Sequence, residues 1–416
     1  MAQASEQADP QRAAALGIIR TLRDAGHTAY LAGGCVRDAL LGIPPKDYDI
    51  ATDATPDQVQ QLWPRSNAVG EAFGVVLCYS GKTPHRIATE VATFRTESAY
   101  SDGRRPDAVT FTTAEHDAQR RDFTINGLFA SPDIADPAQP DEIIDFVNGQ
   151  ADLEARVIRA IGDPGQRFAE DYLRMLRAVR FAARLDFTLH PDTADAIRQH
   201  APKLDRIARE RIGDEVRRTL TGPNPDQALT LYQDLNLTPA ILRVDPHHTA
   251  HRTPHTAPPH ADYPTRLALW LTACDINPDG PQAPLCLTND ETAAFRQTLQ
   301  QQDALPAALA AGVAATKRWL AHPRADQSLL FLDAVGKTDL TQQARSQRDQ
   351  LTQDGIGIAP APLLTGDHLI AAGHRPGPAF KPLLDAVYDA QLEGRITTTT
   401  QALDLAQQLA TRPPPV

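Results

Sequence analysis

Two periods of apolar residues divide this chain. Up to about residue 150, short apolar runs of strand type alternate with short helical patterns, and beyond it helical spacing takes over. Ala13 to Ala25 repeats apolar residues at helical spacing and stops at Gly26. Ala29-Tyr30-Leu31-Ala32 predicts a strand that ends at Gly33-Gly34. A helix from Val36 to Leu41 follows and stops at Gly42, with Pro44-Pro45 just beyond. Asp47-Tyr48-Asp49-Ile50 alternates polar and apolar, so as a strand it puts both aspartates on one face and Tyr48 and Ile50 in the core.

Thr55 caps a short helix with Pro56 at its first position. Phe73 to Tyr79 and Ile87 to Phe94 make a hairpin about Gly81-Lys82. Arg95 to Asp107 is a polar loop, and Val109 to Phe111 resumes a strand. In the stretch from Asp117 to Ala130, Arg120, Arg121, Asp122 and Asn126 recur at helical spacing, with Asp122 and Asn126 one turn apart on a shared face. Ile143 to Phe146 is the last strand, before a turn at Asn148-Gly149.

Gln166 to Phe187 predicts one helix with Leu173, Leu176, Val179, Phe181, Ala183 and Leu185 on its apolar stripe. Its other side carries Glu170, Asp171, Arg174, Arg177 and Arg180 at spacings of three and four. Lys203 to Leu220 continues with Arg206, Arg209, Arg211, Arg217 and Arg218, cations that suit a phosphate backbone as well as a solvated face. Pro246 to Pro264 holds His247, His248, His251, His255 and His260 among five prolines, which favours a solvated loop over a metal site. Leu267 to Leu351 is helical; Leu363 to Gly394 reads as short helix, turn and longer helix, and Thr397 to Thr400 cap a final helix to about Leu409.

Length and charge narrow the class. The 416 residues suffice for two or more domains, and 42% hydrophobic with 22% charged residues describes a globular chain. The formal net charge of −11 argues against a protein coated in nucleic acid. It leaves room for a local basic track, because exposed charges are screened within about 10 Å. Cys35, Cys78, Cys274 and Cys286 have no CxxC or metal spacing and read as free buried thiols of a reducing compartment. The N-terminus lacks a signal-peptide apolar core and no apolar run reaches 18 residues, so a cytoplasmic chain with no membrane partner is expected.

The candidate chemistry lies around the glycine turn. Asp47 and Asp49 project together and repel unless a cation lies between them. Hard oxygen ligands of this kind suit Mg²⁺, which binds through one or two carboxylates plus substrate phosphates. Gly33 and Gly34 let a triphosphate approach backbone N–H groups at a helix start, within reach of Arg37. Glu90 reads equally as a third carboxylate beside the pair and as a solvated strand residue. Arg121 would neutralise triphosphate charge and Asp122 accept from a ribose hydroxyl, against the alternative of a solvated Arg–Asp surface. On the long helix an Asp and an Arg side by side offer an acceptor and a donor fork to a nucleobase edge; the alternative is a surface laced with ion pairs.

LAGGCVRDALLGIPPKDYDIAT, RRDFTIN, EDYLRMLRAVRFAARLDF and ERIGDEV, in that order, resemble the class II tRNA nucleotidyltransferase and bacterial poly(A) polymerase family. The resemblance covers residues 15 to 220 well, and 363 to 410 is similar to the tail of many members. It implies an α+β fold: a polymerase-β-like head of small mixed sheet with helices (1–150), then an all-α neck (151–222), body (223–360) and tail (361–416). By position Asp47 and Asp49 match the Mg²⁺ ligands, Gly34 and Arg37 the triphosphate cradle, and Arg121 an NTP contact. Asp171, Arg174, Arg177 and Arg180 match an amino-acid template that selects CTP and then ATP. The implied reaction is in-line attack of an RNA 3′-hydroxyl on the NTP α-phosphate, with the 3′ end of tRNA or other RNA as partner and no protein partner.

The departures also inform. Gly127 stands where alanine is usual, no HD dyad marks a phosphohydrolase, and the loop from Arg95 to Asp107 is present where CC-adding members are shortened. A full CCA-adding or an A-adding enzyme is therefore favoured over a CC-adding one; CCA addition is the leading expectation, with an A-adding or poly(A)-tailing enzyme as the alternative and an idle RNA-binding protein as the remote one.

Overall fold

The computed structural model describes residues 9–69, 74–82, 84–97, 109–136, 139–245, 256–276 and 285–411. They fall into two compact units, 1–250 and 251–416. Most of the loop from Arg95 to Asp107, and His247, His248, His251 and His255, lie outside the described residues.

The first unit begins with helix α1 (Pro10–Asp24), whose buried Ala15, Ile18, Ile19 and Leu22 pack toward the sheet and the next helices. Strand β1 (Ala29–Ala32) leads through Gly33 into α2 (Gly34–Leu40), then to β2 (Ile50–Thr52) and α3 (Pro56–Leu62). Thr55 and Gln58 close a capping box at the start of α3, with Pro56 at its first position as expected. Strands β3 (Ser66–Ala68), β4 (Val75–Ser80) and β5 (Ile87–Thr93) complete one side of the sheet. Strand β6 (Arg95–Glu97) pairs separately with β7 (Val109–Phe111). Helix α4 (Ala114–Gln119) and strands β8 (Phe129–Ser131) and β9 (Glu142–Ile144) finish the mixed sheet, in the order β3-β4-β5-β2-β1-β8-β9. All its pairings are antiparallel except β2 with β5. Ala32, Ala51, Phe94, Ala118 and Phe129 form the core over one face, with the rings of Phe94 and Phe129 edge to face at 5.9 Å.

After the sheet come α5 (Gly149–Glu154), β10 (Val157–Ile158), α6 (Pro164–Glu170), α7 (Leu173–Leu185), β11 (Thr188–Leu189), α8 (Pro191–His200), α9 (Arg209–Leu220), α10 (Pro225–Asp234) and α11 (Leu237–Leu242). Every named element among the described residues of the second unit is a helix: α12 (Tyr263–Ala273), α13 (Asn289–Ala311), α14 (Val313–Leu320), α15 (Ala325–Ala334), α16 (Thr338–Thr352), α17 (Gly366–Ala371), α18 (Phe380–Leu392) and α19 (Thr399–Ala410). It holds one core about Leu305, Trp319 and Leu332 and another about Leu369, Val387 and Ala402. No helix among the described residues is long and apolar enough to cross a membrane.

Four expectations change. The Asp47–Ile50 segment is strand only from Ile50, although its alternation persists, with Tyr48 buried and Asp47 exposed. The stretch from Asp117 to Ala130 is not one helix: α4 stops at Gln119, and a 3-10 turn covers Thr124–Asn126. The cause is nonlocal pairing, since Thr124 N–H donates to the Arg159 carbonyl at 3.0 Å and Ile161 N–H to the Asp122 carbonyl at 3.2 Å. The long helix from Gln166 to Phe187 is two helices broken at Asp171, which is extended (φ −152°) and accepts the Leu173 N–H on its side chain at 3.1 Å. Among the thiols, Cys35, Cys78 and Cys274 are buried but Cys286 is exposed.

Gly127 is explained by packing. A methyl group there would meet Val147 Cγ2 at 2.6 Å, so Val147 fills the space an alanine would need.

Candidate active site

A cleft of about 810 Å³ in the first unit brings together residues drawn from β1–α2, the segment before β2, β5, the 3-10 turn, α7 and α9. All the residues assigned from the sequence to the metal and nucleotide site line it: Gly33, Gly34, Arg37, Asp47, Asp49, Glu90, Arg121, Asp122, Asn126, Asp171, Arg174, Arg177 and Arg180; of the later cations Arg211 and Arg218 do, whereas Arg206, Arg209 and Arg217 do not.

The acids sit at one wall. Burial, then the neighbouring charges of Glu90 and Asp47, push the Asp49 carboxyl up to about 6, and Arg121 offsets this in part. Mutual repulsion of that kind is what a divalent cation relieves, and a carboxylate pair with open coordination suits Mg²⁺ completed by water and phosphate oxygens. Asp47 and Asp49 thus fit the group by their chemistry. Glu90 is an exposed strand acid at the same wall, and after burial its charge weighs more on Asp49 than that of Asp47.

The glycine turn differs from a simple phosphate cradle. Gly33 N–H is already used, donating to the Leu128 carbonyl at 2.9 Å. Gly33 is needed for another reason: its φ of +69° with ψ −116° lies where side chains are strained, and a Cβ there would come within 2.8 Å of Arg121 Nη1. The missing side chain lets Arg121 lie against the turn. Arg121 is held by Asp117 Oδ2 at 3.0 Å from Nη2 and by the Asn126 carbonyl at 3.2 Å from Nη1.

Behind the cleft runs a charged relay. Arg177 donates to Asp122 Oδ2 through Nε at 2.9 Å and Nη2 at 2.6 Å, while Asn126 Nδ2 (3.0 Å) and Phe123 N–H (2.9 Å) donate to Oδ1. Burial would raise this carboxyl, yet Arg177 and the Asn126 hydrogen bond hold it at about 2. Its lone pairs are therefore committed, and Asp122 positions neighbours rather than offering a free acceptor to a ribose. Arg37 is likewise buried. It donates to Asn126 Oδ1 at 2.5 Å and to Asp38 Oδ1 at 2.8 and 2.6 Å, and Arg184 donates to Asp38 Oδ2 at 2.9 Å. The guanidinium expected to reach phosphates thus lies at the back of the cleft, over the Phe181 ring at 5.1 Å.

Along α7 and the break before it, the expected row of residues is there. Asp171, Arg174, Arg177 and Arg180 are each half-buried, while the residues between them are buried. Of the neighbours at that spacing Glu170 and Arg174 pair, and the other partners come from further away. Asp171 takes Arg211 of α9 at 2.7 Å, Arg174 takes Glu170, and Arg180 takes Glu215. Sequence reasoning gave no role to Asp38, Lys46, Asp117, Arg184 or Glu215. Asp38, Lys46, Arg184 and Glu215 lie within the quoted motifs, whereas Asp117 lies outside them and left no signal.

Comparison with known proteins agrees with this layout. The family model described as "Poly A polymerase head domain" matches residues 29–159, and that described as "Probable RNA and SrmB- binding site of polymerase A" matches residues 186–250. A CCA-adding enzyme of Levilactobacillus brevis is 35% identical over 398 residues, 93% of this chain and 95% of the relative. The crystal structure of a Bacillus stearothermophilus CCA-adding enzyme in complex with CTP is similar over 97% of this chain and 99% of that one, at 31% identity and a TM-score of 0.76. A Thermotoga maritima CCA-adding enzyme complexed with tRNA shares the fold, with a TM-score of 0.67 at 18% identity over 97% of each chain.

Proposed function

The chain belongs to the CCA-adding enzyme family of nucleotidyltransferases, and from that premise we propose how its cleft adds CTP and ATP to the 3′ end of tRNA. The single observation that carries the residue assignment is the meeting, in one cleft, of a mutually repelling acid pair and the half-buried row from Asp171 to Arg180.

Asp47 and Asp49 would hold Mg²⁺. When bound, that ion polarises the α-phosphate and lowers the charge of the attacking and leaving oxygens. Arg121, fixed by Asp117 and lying against Gly33, supplies positive charge to the triphosphate. The break before α7 presents Asp171 as acceptor, and the first turn of α7 presents Arg174 as donor fork, to the incoming base, each held by a partner outside that pair. Little covalent chemistry falls to the protein, so positioning and electrostatics carry the rate. The reading includes a head to about 150, a neck to 222, a body to 360 and a tail beyond, and action in the cytoplasm where tRNA is processed.

Incubation of the purified protein with tRNA ending before CCA tests this. Addition of two residues from CTP alone and of a third only when ATP is also present is expected; incorporation from ATP alone would instead favour an A-adding or poly(A)-tailing enzyme. In the same assay Asp171→Ala is expected to relax choice of CTP over UTP by about 10- to 100-fold, the ~1–3 kcal/mol of a good bidentate base contact. The ratio of kcat/KM for the two nucleotides reads it.

A further inference from the structure

The 3-10 turn Thr124–Asn126 is where the supports of the cleft meet. Asn126 accepts from Arg121 on its carbonyl at 3.2 Å and from Arg37 on Oδ1, and donates Nδ2 to Asp122 at 3.0 Å. Three residues of 3-10 turn carry few and poorly aligned hydrogen bonds of their own, so the turn must be fixed from outside. Thr124 is the contact. It is buried; its N–H donates to the Arg159 carbonyl at 3.0 Å, and its hydroxyl donates to Asp152 Oδ2 at 2.7 Å. Asp152 is buried as well, and Arg159 donates to both of its oxygens, at 3.0 and 3.1 Å. One arginine thus holds Thr124 through its backbone and the carboxylate partner of Thr124 through its side chain.

Helix α5 brings Asp152 to the turn. Its start is set by Asp145, whose carboxylate accepts the N–H groups of Val147, Gly149 and Gln150, each at 3.0 Å. Gly149 faces Thr124 so closely that a methyl group there would come within 2.3 Å of the Thr124 carbonyl oxygen. Only glycine fits that separation, so α5 closes on the turn with no side chain between them. None of Thr124, Gly149, Asp152 and Arg159 lines the cleft, so whatever they do for a substrate passes through the turn.

Resting on the proposed activity, we propose that Asp152 is a positioning residue for the triphosphate: through the Thr124 hydroxyl it fixes the 3-10 turn, and the Asn126 carbonyl of that turn aims Arg121 at the phosphates. Gly149 serves the same end by letting α5 approach. The effect is blind to the base, because Arg121 meets phosphates whichever nucleotide enters. Asp122 keeps Arg177 and the Phe123 N–H without the turn, so the row along α7 stays in place.

Thr124→Val removes the hydroxyl, Asp152→Ala removes its acceptor, and Thr124→Ser restores the bond. Thr124→Val and Asp152→Ala are each expected to raise the KM for CTP and for ATP by the same factor, about 3- to 10-fold, and the inhibition constant of pyrophosphate in parallel. The KM for tRNA ending before CCA should stay within about twofold, and Thr124→Ser should return the nucleotide KM to within about twofold of wild type. The double variant Thr124→Val with Asp152→Ala should be no worse than the worse single one, because both delete one bond. A lower thermal midpoint with nucleotide KM and pyrophosphate inhibition unchanged would overturn the proposal and leave a purely structural contact. So would a Thr124→Ser variant as impaired as Thr124→Val. Should Asp152→Ala fail to fold, the valine and serine variants of Thr124 decide alone. Should the wild-type protein incorporate neither CTP nor ATP, the activity reading falls; calorimetric binding of CTP with Mg²⁺ that is weaker in Thr124→Val than in wild type would still uphold the positioning role, and equal binding would overturn it.

Discussion

Asp49→Ala is expected to lower kcat for nucleotide incorporation by at least about 10³-fold while tRNA binding survives. The size follows from the role: metal stabilisation of developing charge is worth several kcal/mol, and each 1.36 kcal/mol is tenfold in rate. Single-turnover incorporation of CTP with Mg²⁺ in excess, beside a binding isotherm for the RNA, separates the two effects. An unchanged turnover would remove the metal pair from the mechanism, and equal loss of RNA binding would point to unfolding.

Asp49→Asn carries a second, opposite expectation. The folded-state carboxyl sits at about 6, above its ordinary 3.8, because burial and then Glu90 and Asp47 disfavour the charge. A raised acid costs stability: nothing below about pH 3.8, a growing amount up to about 6, and the full amount above that. The upper bound is about 3 kcal/mol, reduced by solvent reaching the half-buried side chain. The metal-free asparagine variant should therefore melt higher than wild type at pH 7.5 and equal to it near pH 4, as activity disappears. Loss of activity with a gain in stability is the mark of a strained functional acid.

The course of the head was legible because its signals are local. β1, the Gly33 stop, the Thr55 capping box and the β4–β5 hairpin follow from turn residues and from the period of two, and the structure returns them close to the expected bounds. The candidate site was legible as a set of residues but not as a set of partners. Spacing put Asp171, Arg174, Arg177 and Arg180 on one face, and that face exists. It could not foresee that Asp171 pairs across to Arg211, or that Arg177 reaches back 55 residues to Asp122. Those choices depend on tertiary approach, as does the 3-10 turn that replaces helix after Arg121, where residues 159–161 capture the backbone. Arg37 shows the same limit: helical position placed it near phosphates, whereas burial against Phe181 and Asp38 turns it into a support.

That support system predicts the largest effect on stability. Asp122 accepts four protein hydrogen bonds and joins α7 to the 3-10 turn; through Asn126, Arg37 and Asp38 the same chain returns to α7 at Arg184. Asp122→Ala strands the Arg177 guanidinium against a wall that no longer neutralises it and orphans the Phe123 N–H. Removing one partner of a buried ion pair costs about 3–5 kcal/mol, so urea unfolding of the first cooperative transition should shift by that amount at pH 7. Asp122→Asn keeps the volume but not the charge, and should lose about 2 kcal/mol, the value of holding the carboxyl at about 2 rather than 3.8. The sign is that of a depressed acid: this stability is fully present above pH 3.8 and is lost as pH falls through 2. The gap between wild type and Asp122→Asn should thus stay constant from pH 7 to about 4 and close below. Because Arg177 lines the cleft on the same face of α7 as Arg174 and Arg180, which we propose meets the base, the same variants should also blur CTP selection at temperatures where they remain folded. Selection intact in a destabilised Asp122→Ala would show that α7 keeps its register without the relay, and that Asp122 serves folding alone.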